Sequence, residues 1–318
     1  MKKYIITGGA GFIGSALARG LLALNDGPVE VIDNLSTGRR ENLKDLEGQI
    51  TFHPADIRDY DRICPIMAEA DTLFHLAAIP SVPRSITDPV PSHECNIDGT
   101  FNVLRASVEG NVRKVVYAAS SSAYGDTLEL PKAEHMRPNP KSPYAAQKLM
   151  GEYYCSVFSS CYGLDATSLR FFNVYGPRQD PSSPYSGVIS VFMTCLLQGT
   201  APTIYGDGEQ TRDFTYIDDI VDLVIKASKA PAVAGKVFNA GNGNRYSLNQ
   251  VWSLLQKVEG VEIPASYGPP RAGDVRDSQA DTTAARRALD HAPRFDIEEG
   301  LRRTLQWYRE SLVTTLQR

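Results

Sequence analysis

Several shortages bound this 318-residue chain before any motif is read. It has only five cysteines, Cys64, Cys95, Cys155, Cys161 and Cys195, an odd number with no C-x-x-C spacing. They read as reduced, packed thiols, and neither a disulfide framework nor a metal site is expected. No apolar run approaches the ~18 residues of a spanning helix, so no membrane segment is expected. The formal net charge of -4 argues against a nucleic-acid or anionic-membrane surface, and pairs such as Arg39-Arg40 and Arg286-Arg287 read as solvated faces. Met1-Lys2-Lys3 runs straight into Tyr4-Ile5-Ile6 and a glycine cluster, without the h-region of a signal peptide; a cytoplasmic location is expected. Internal repeats and low-complexity tracts are missing too.

What is present is alternation. Tyr4–Thr7, Val29–Ile32, Thr72–Leu76, Val115–Ala119 and Ala166–Phe171 read as strands, with helix-length segments between them. Repeated βαβ units on a parallel sheet follow: an α/β, Rossmann-type doubly wound fold. After Phe171 the rhythm breaks at two loop-like stretches, 177–187 and 264–278, rich in Pro, Gly and Ser. Between them Lys236–Ala240 reads as a strand returning to the sheet. The expected division is 1–172 as the dinucleotide-binding domain, rejoined by 214–242, with 173–213 and 243–318 forming a smaller C-terminal α/β substrate lobe.

Ile5-Ile6-Thr7-Gly8-Gly9-Ala10-Gly11-Phe12-Ile13-Gly14 reads as strand, glycine turn and helix. Glycine is needed where the backbone turns tightly and a pyrophosphate must come close, and the helix N-terminus then offers free N–H groups. Asp33 follows Gly14 by nineteen residues, at the end of the next strand. A carboxylate there accepts from ribose hydroxyls and repels a 2′-phosphate, favouring NAD over NADP. Asp56 is expected to end the third strand near the adenine, and His75-Leu76-Ala77-Ala78 to end the fourth. His75 has no partner at metal spacing and reads as a packed histidine.

The candidate chemistry centres on Ser142-Pro143-Tyr144-Ala145-Ala146-Gln147-Lys148. A helix starting at Pro143 puts Tyr144 and Lys148 one turn apart on one face. A tyrosine becomes a base at neutral pH only if its pKa falls by roughly three units, about 4 kcal/mol at ~1.36 kcal/mol per unit. A lysine and a cationic cofactor ring together could supply that. Upstream, Ser120, Ser121 and Ser122 end a strand where ligands of open α/β sheets bind.

The glycine turn, Asn96-Ile97-Asp98-Gly99-Thr100, the serine triplet, Tyr144-x-x-x-Lys148, Arg170-Phe171-Phe172-Asn173 and Arg212-Asp213-Phe214 together resemble the extended short-chain dehydrogenase/reductase family, and within it the nucleotide-sugar 4-epimerases. The resemblance implies Tyr144 as base, Lys148 as its electrostatic partner and ribose contact, and Ser120 as the associated hydroxyl, with Ser121 the second choice. It implies a tightly held NAD, contacted by Gly8, Gly11, Phe12, Ile13, Gly14, Asp33, Asn34, Asp56, Ile57, Leu76, Ala77, Ala78 and Asn96 besides Tyr144 and Lys148. Around a UDP-sugar it places Ser121, Ser122, Asn173, Val188, Tyr205, Arg212, Arg271, Asp274 and, as gatekeeper beside the sugar, Ser278.

The implied reaction inverts C4 through a 4-keto sugar. A serine gate leaves room for an N-acetyl group, which favours UDP-GlcNAc/UDP-GalNAc, with UDP-Glc/UDP-Gal as a further pair. UDP-glucuronate 4-epimerisation stays open, with Arg84 and Arg178 as candidate carboxylate partners. A dehydratase or decarboxylase is the rival reaction, but the dehydratases of this family carry an Asp-Glu pair where this chain has Ser121 and Ser122. An NAD-binding scaffold without chemistry is the non-enzyme reading, and the intact serine, tyrosine and lysine count against it. Two apolar stripes, Ala145/Leu149/Tyr153/Val157/Cys161 and Ala146/Met150/Tyr154/Phe158, predict a homodimer through this helix and the one near Asn96–Val108; a deeply buried helix in a monomer is the alternative.

Overall fold

The short apolar runs become strands whose successive side chains point to opposite faces. Tyr4 and Ile6 of strand β1 (Tyr4–Thr7) enter one hydrophobic core, while Ile5 enters the other. The protein is described as a computed structural model covering residues 2–180, 187–270 and 275–316. Its strands continue as β2 (Val29–Ile32), β3 (Ile50–His53), β4 (Thr72–His75), β5 (Lys114–Ser120), β6 (Ala166–Phe171), β7 (Asn173–Tyr175), β8 (Thr203–Tyr205), β9 (Thr211–Arg212), β10 (Phe214–Tyr216), β11 (Val237–Ala240), β12 (Tyr246–Ser247) and β13 (Ser266–Gly268). The helices are α1 (Phe12–Leu24), α2 (Tyr60–Met67), α3 (Val82–Thr87), α4 (Pro89–His93), α5 (Thr100–Glu109), α6 (Pro143–Tyr162), α7 (Val188–Gln198), α8 (Ile217–Lys229), α9 (Leu248–Glu259), α10 (Thr283–Leu289) and α11 (Ile297–Leu316). A π-helical turn over Glu94–Gly99 leads into α5, and a 3₁₀ turn over Ser121–Tyr124 follows β5.

Seven parallel strands lie in the order β11-β6-β5-β4-β1-β2-β3. Chain order reverses between β1 and β4, which opens the crevice where such sheets bind ligands. The apolar residues of α1 and α8 cover one face, and those of α2, α5 and α6 the other. The strand read at Lys236–Ala240 does rejoin the sheet, pairing with β6.

Two expectations change. The third strand, half-exposed at the sheet edge, stops at His53, so Asp56 lies in the loop beyond it rather than at its end. The stretch 264–278 is not loop throughout, because Ser266–Gly268 pairs with β8.

Helix α6 forms where expected. Ser142 caps it by accepting from the Ala145 amide at 3.2 Å, Pro143 occupies the first turn, and Gly163 ends it in the left-handed region at φ 72°. The two apolar stripes drawn on it wind around it instead of forming faces, since a four-residue step overshoots a 3.6-residue turn. Ala145 and Leu149 are buried, while Tyr153, Val157 and Cys161 are exposed.

Beyond the sheet, α7, α9 and α11 build a second layer in which Phe192 meets Trp252 edge-on at 5.3 Å. Asp213 ties this part to the sheet. Its fully buried carboxylate accepts from the amides of Asn242, Gly243 and Ala280 at 2.8, 2.9 and 3.0 Å and from the Thr215 hydroxyl at 3.2 Å. Among the described residues no helix is long and apolar enough to cross a membrane.

Candidate active site

The turn after β1 is built for close approach. Gly8 stands at φ 72°, and a Cβ there would lie 2.6 Å from the Ala77 amide; a Cβ at Gly14 would lie 2.3 Å from the Gly8 carbonyl. No side chain caps α1 at Gly11, and no acidic residue stands in the first turn containing Phe12, Ile13 and Gly14, so its N–H groups and positive end face the crevice. Asp33 is almost buried at the end of β2. Its carboxylate accepts from the Ala10 amide at 2.9 Å and the Leu35 amide at 2.8 Å, while burial pushes its pKa up. Each oxygen keeps a lone pair for a hydroxyl. A narrow glycine cradle, an uncapped helix end and a carboxylate one strand away fit NAD, and the carboxylate disfavours a 2′-phosphate.

Farther along this edge Asn34 donates to Asp56 at 2.8 Å. Hydrogen bonds from Arg58 hold the Asp56 carboxyl well below the ordinary range, at about 2. Ile57 is buried beside them. Leu76, Ala77 and Ala78 follow β4, and the Ala77 amide donates to the Thr7 hydroxyl at 3.3 Å. His75 is fully buried between Thr7 at 2.7 Å and Thr100 at 2.9 Å, and burial lowers its pKa to about 3. Asn96 spends its amide on the protein: it accepts from the Ile79 amide at 2.8 Å and donates to Gln147 at 2.9 Å. The loop after β4 is thereby fixed to α6.

Ser120 ends β5, and Tyr144 and Lys148 lie in the first two turns of α6. Tyr144 is placed by its amide, which donates to the Ser85 hydroxyl at 3.1 Å. Ser120 acts on its phenol by lowering that group's pKa, and the Ser120 oxygen accepts from the Ser122 amide at 3.2 Å and hydroxyl at 2.8 Å. Burial raises the phenol's pKa and Ser120 offsets part of that. In this state burial governs the phenol, not the Lys148 ammonium of the sequence reading. Lys148, one turn on and buried, has its own pKa lowered by burial to about 8.

Residues outside the expected set brace this group. Glu152 pairs with Arg170 at 2.9 and 2.7 Å, and the guanidinium lies 4.5 Å over the Tyr124 ring, whose hydroxyl donates to Asn239 at 2.6 Å. The available signal was a carboxylate one turn past Lys148 with an arginine opposite it in β6.

The expected substrate contacts are scattered more widely. Ser121 and Ser122 are half-buried beside Ser120. Asn173 opens β7, its amide donating to the Asp213 carbonyl at 3.0 Å, and Val188 opens α7. Tyr205 ends β8 with 37% exposure. Arg212 donates to the Thr211 and Arg276 carbonyls at 2.9 and 3.1 Å. Ser278 is anchored through its amide to the Thr211 carbonyl at 3.1 Å, and its buried hydroxyl has no hydrogen-bond partner among the described residues. Arg271 and Asp274 lie outside the described residues. Arg178 faces Asp45 at 3.5 Å and, with Arg19 and Arg294, lines a cavity of about 390 Å³ between α1 and α8 that none of the other sugar-side candidates among the described residues line. Arg84 stays near the chemistry, next to Ser85.

Residues 4–241 match the NAD dependent epimerase/dehydratase family. The UDP-glucose 4-epimerase of Mycolicibacterium smegmatis is 40% identical over 96% of this chain and 98% of its own. A UDP-N-acetyl-alpha-D-glucosaminuronate decarboxylase of Bacillus cytotoxicus is 33% identical over 97% and 98%. Among solved structures, a UDP-N-acetylglucosamine 4-epimerase from Methanobrevibacter ruminantium M1, in complex with UDP-N-acetylmuramic acid, is 38% identical. It superposes with a TM-score of 0.93 over 98% of this chain and 99% of that one.

Proposed function

Since the chain belongs to the NAD-dependent epimerase/dehydratase family, we propose that it inverts C4 of a UDP-sugar through a 4-keto intermediate. The UDP-GlcNAc/UDP-GalNAc pair is its main substrate, and UDP-Glc/UDP-Gal is accepted as well. The observation that carries this reading is Tyr144 and Lys148 one turn apart at the start of α6, with Ser120 acting on the phenol and the glycine cradle following β1.

NAD, when bound, supplies the hydride acceptor and donor for C4. Tyr144 takes the proton from the O4 hydroxyl and returns it. Ser120 holds the phenol and the sugar hydroxyl in one line, and Lys148 supplies the positive charge that lets the phenol ionise. Gly8, Gly11 and Gly14 seat the pyrophosphate, Asp33 the adenosine ribose; the segment 173–213 and the C-terminal part hold UDP. Ser278 gates the sugar. Ser121 and Ser122 give elimination no carboxylate to use.

On α6, Met150, Tyr153 and Val157 are 41, 53 and 49% exposed, and Phe101 of α5 is 40% exposed. These four form the face through which two copies pair as a homodimer. Sedimentation at micromolar concentration should give twice the monomer mass, and a monomer there would remove the dimer.

The deciding assay offers UDP-GlcNAc, UDP-Glc and UDP-glucuronate and follows the products by mass and NMR. Conversion of the first at unchanged mass is expected; loss of carbon dioxide or water, or no turnover of UDP-GlcNAc, overturns the assignment. Turnover of UDP-glucuronate alone would favour the uronate reading, for which Arg84, next to the serine that holds Tyr144, is the cation.

A further inference from the structure

Lys148 has to keep its charge in a place that strips water from it. The groups facing it come from several elements. From α6 itself come Glu152 and Cys155, from the π-helical turn Cys95, from β4 His75, and from β5 Tyr117. Most of these give it no free countercharge. The Cys95 and Cys155 thiols are pushed up by burial, His75 is neutral, and Glu152 is engaged by Arg170.

Tyr117 stands apart. The Lys148 Nζ lies 4.8 Å from the centroid of its ring. The ring is fully buried and fixed on three sides. Its hydroxyl donates to the Lys148 carbonyl at 3.3 Å, and His75 packs against it at 5.5 Å. It also fills a notch at Gly151, where a Cβ would come within 2.2 Å of the phenolic oxygen. One side chain thus holds both the ammonium and the backbone turn that carries it.

We propose that Tyr117 is a positioning residue whose ring face seats the Lys148 ammonium and aims it at Tyr144 and the cofactor ribose. This rests on the functional reading above for what the ammonium does there. A buried ring face favours the charged form of a lysine over it. Burial pushes the phenol of Tyr117 well above its ordinary range, so the ring stays neutral while Lys148 titrates.

The test is a ¹³Cε-lysine NMR titration of the NAD-free protein, with the Lys148 signal assigned by Lys148→Arg. Parent, Tyr117→Leu, Tyr117→Phe and Gly151→Ala are compared. Tyr117→Leu should lower the Lys148 midpoint from about 8 by roughly 0.4 to 1.5 pH units, and Tyr117→Phe should hold it near the parent value. Gly151→Ala, which pushes the ring aside, should shift it in the Leu direction and stands in if Tyr117→Leu does not fold. Coincident Leu and parent curves, or a Phe shift as large as the Leu shift, would overturn the proposal. Because the titration needs no substrate, a protein inactive on every UDP-sugar would sink the functional reading and leave the positioning role of Tyr117 standing or falling on its own curves.

Discussion

Glu152 and Arg170 form a doubly hydrogen-bonded ion pair, at 2.9 and 2.7 Å, with side chains only 2 and 4% exposed. It joins the helix carrying Tyr144 and Lys148 to the strand beside Ser120. Removing one partner strands a buried charge, so Glu152→Ala should cost about 3–5 kcal/mol of stability. The double variant Glu152→Leu/Arg170→Met should lose less than Glu152→Ala alone. Urea unfolding of the variants checks both, and a double variant as unstable as the sum of the singles would show that the pair is not coupled.

Tyr144→Phe removes the proton acceptor and little else, because the residue is placed through its amide on Ser85. Turnover should fall by about 10²–10⁴-fold while NAD is still bound. Steady-state rates and bound-cofactor absorbance measure the two separately. A variant that keeps its rate would refute the base.

The central strands were legible because parallel strands buried on both faces read as unbroken apolar runs. Tyr4–Thr7, Val29–Ile32 and Ala166–Phe171 fall where their runs fall. Ile50–His53 gives no such run, being half-exposed at the sheet edge, and Asp56 was misplaced with it. Glycine spacing and Tyr144-x-x-x-Lys148 are local patterns, and local patterns survive in sequence. Neither the Tyr117 ring beneath Lys148 nor the Glu152–Arg170 pair is local. Val116-Tyr117-Ala118 reads only as core, and the contact exists because β5 runs under α6 at Gly151.

His75 sets an acid limit on stability. Its folded pKa is about 3, below the ~6.5 of an unfolded histidine, so the unfolded chain binds the extra proton between those values. Stability from this group is complete above about pH 6.5 and falls by up to ~1.4 kcal/mol per unit as pH drops toward 3. His75→Asn should flatten that slope at some cost at neutral pH, since the hydrogen bonds to Thr7 and Thr100 change. Unfolding midpoints from pH 7 to pH 4 test it, and parallel curves for parent and variant would rule out His75 as the source.

Ser278 offers the sharpest handle on specificity. Its amide is pinned to the Thr211 carbonyl at 3.1 Å, so a larger side chain here cannot swing away with the backbone. A bulkier gate should exclude an N-acetyl group while a bare C2 hydroxyl still fits. Ser278→Tyr is therefore expected to lower kcat/KM for UDP-GlcNAc by at least about tenfold and to change that for UDP-Glc by much less, the discrimination a pocket gains from a few added carbons. Both constants measured on the same preparation decide it. Equal losses on the two sugars would mean that Ser278 supports the fold of the 275–280 segment and does not touch the substrate.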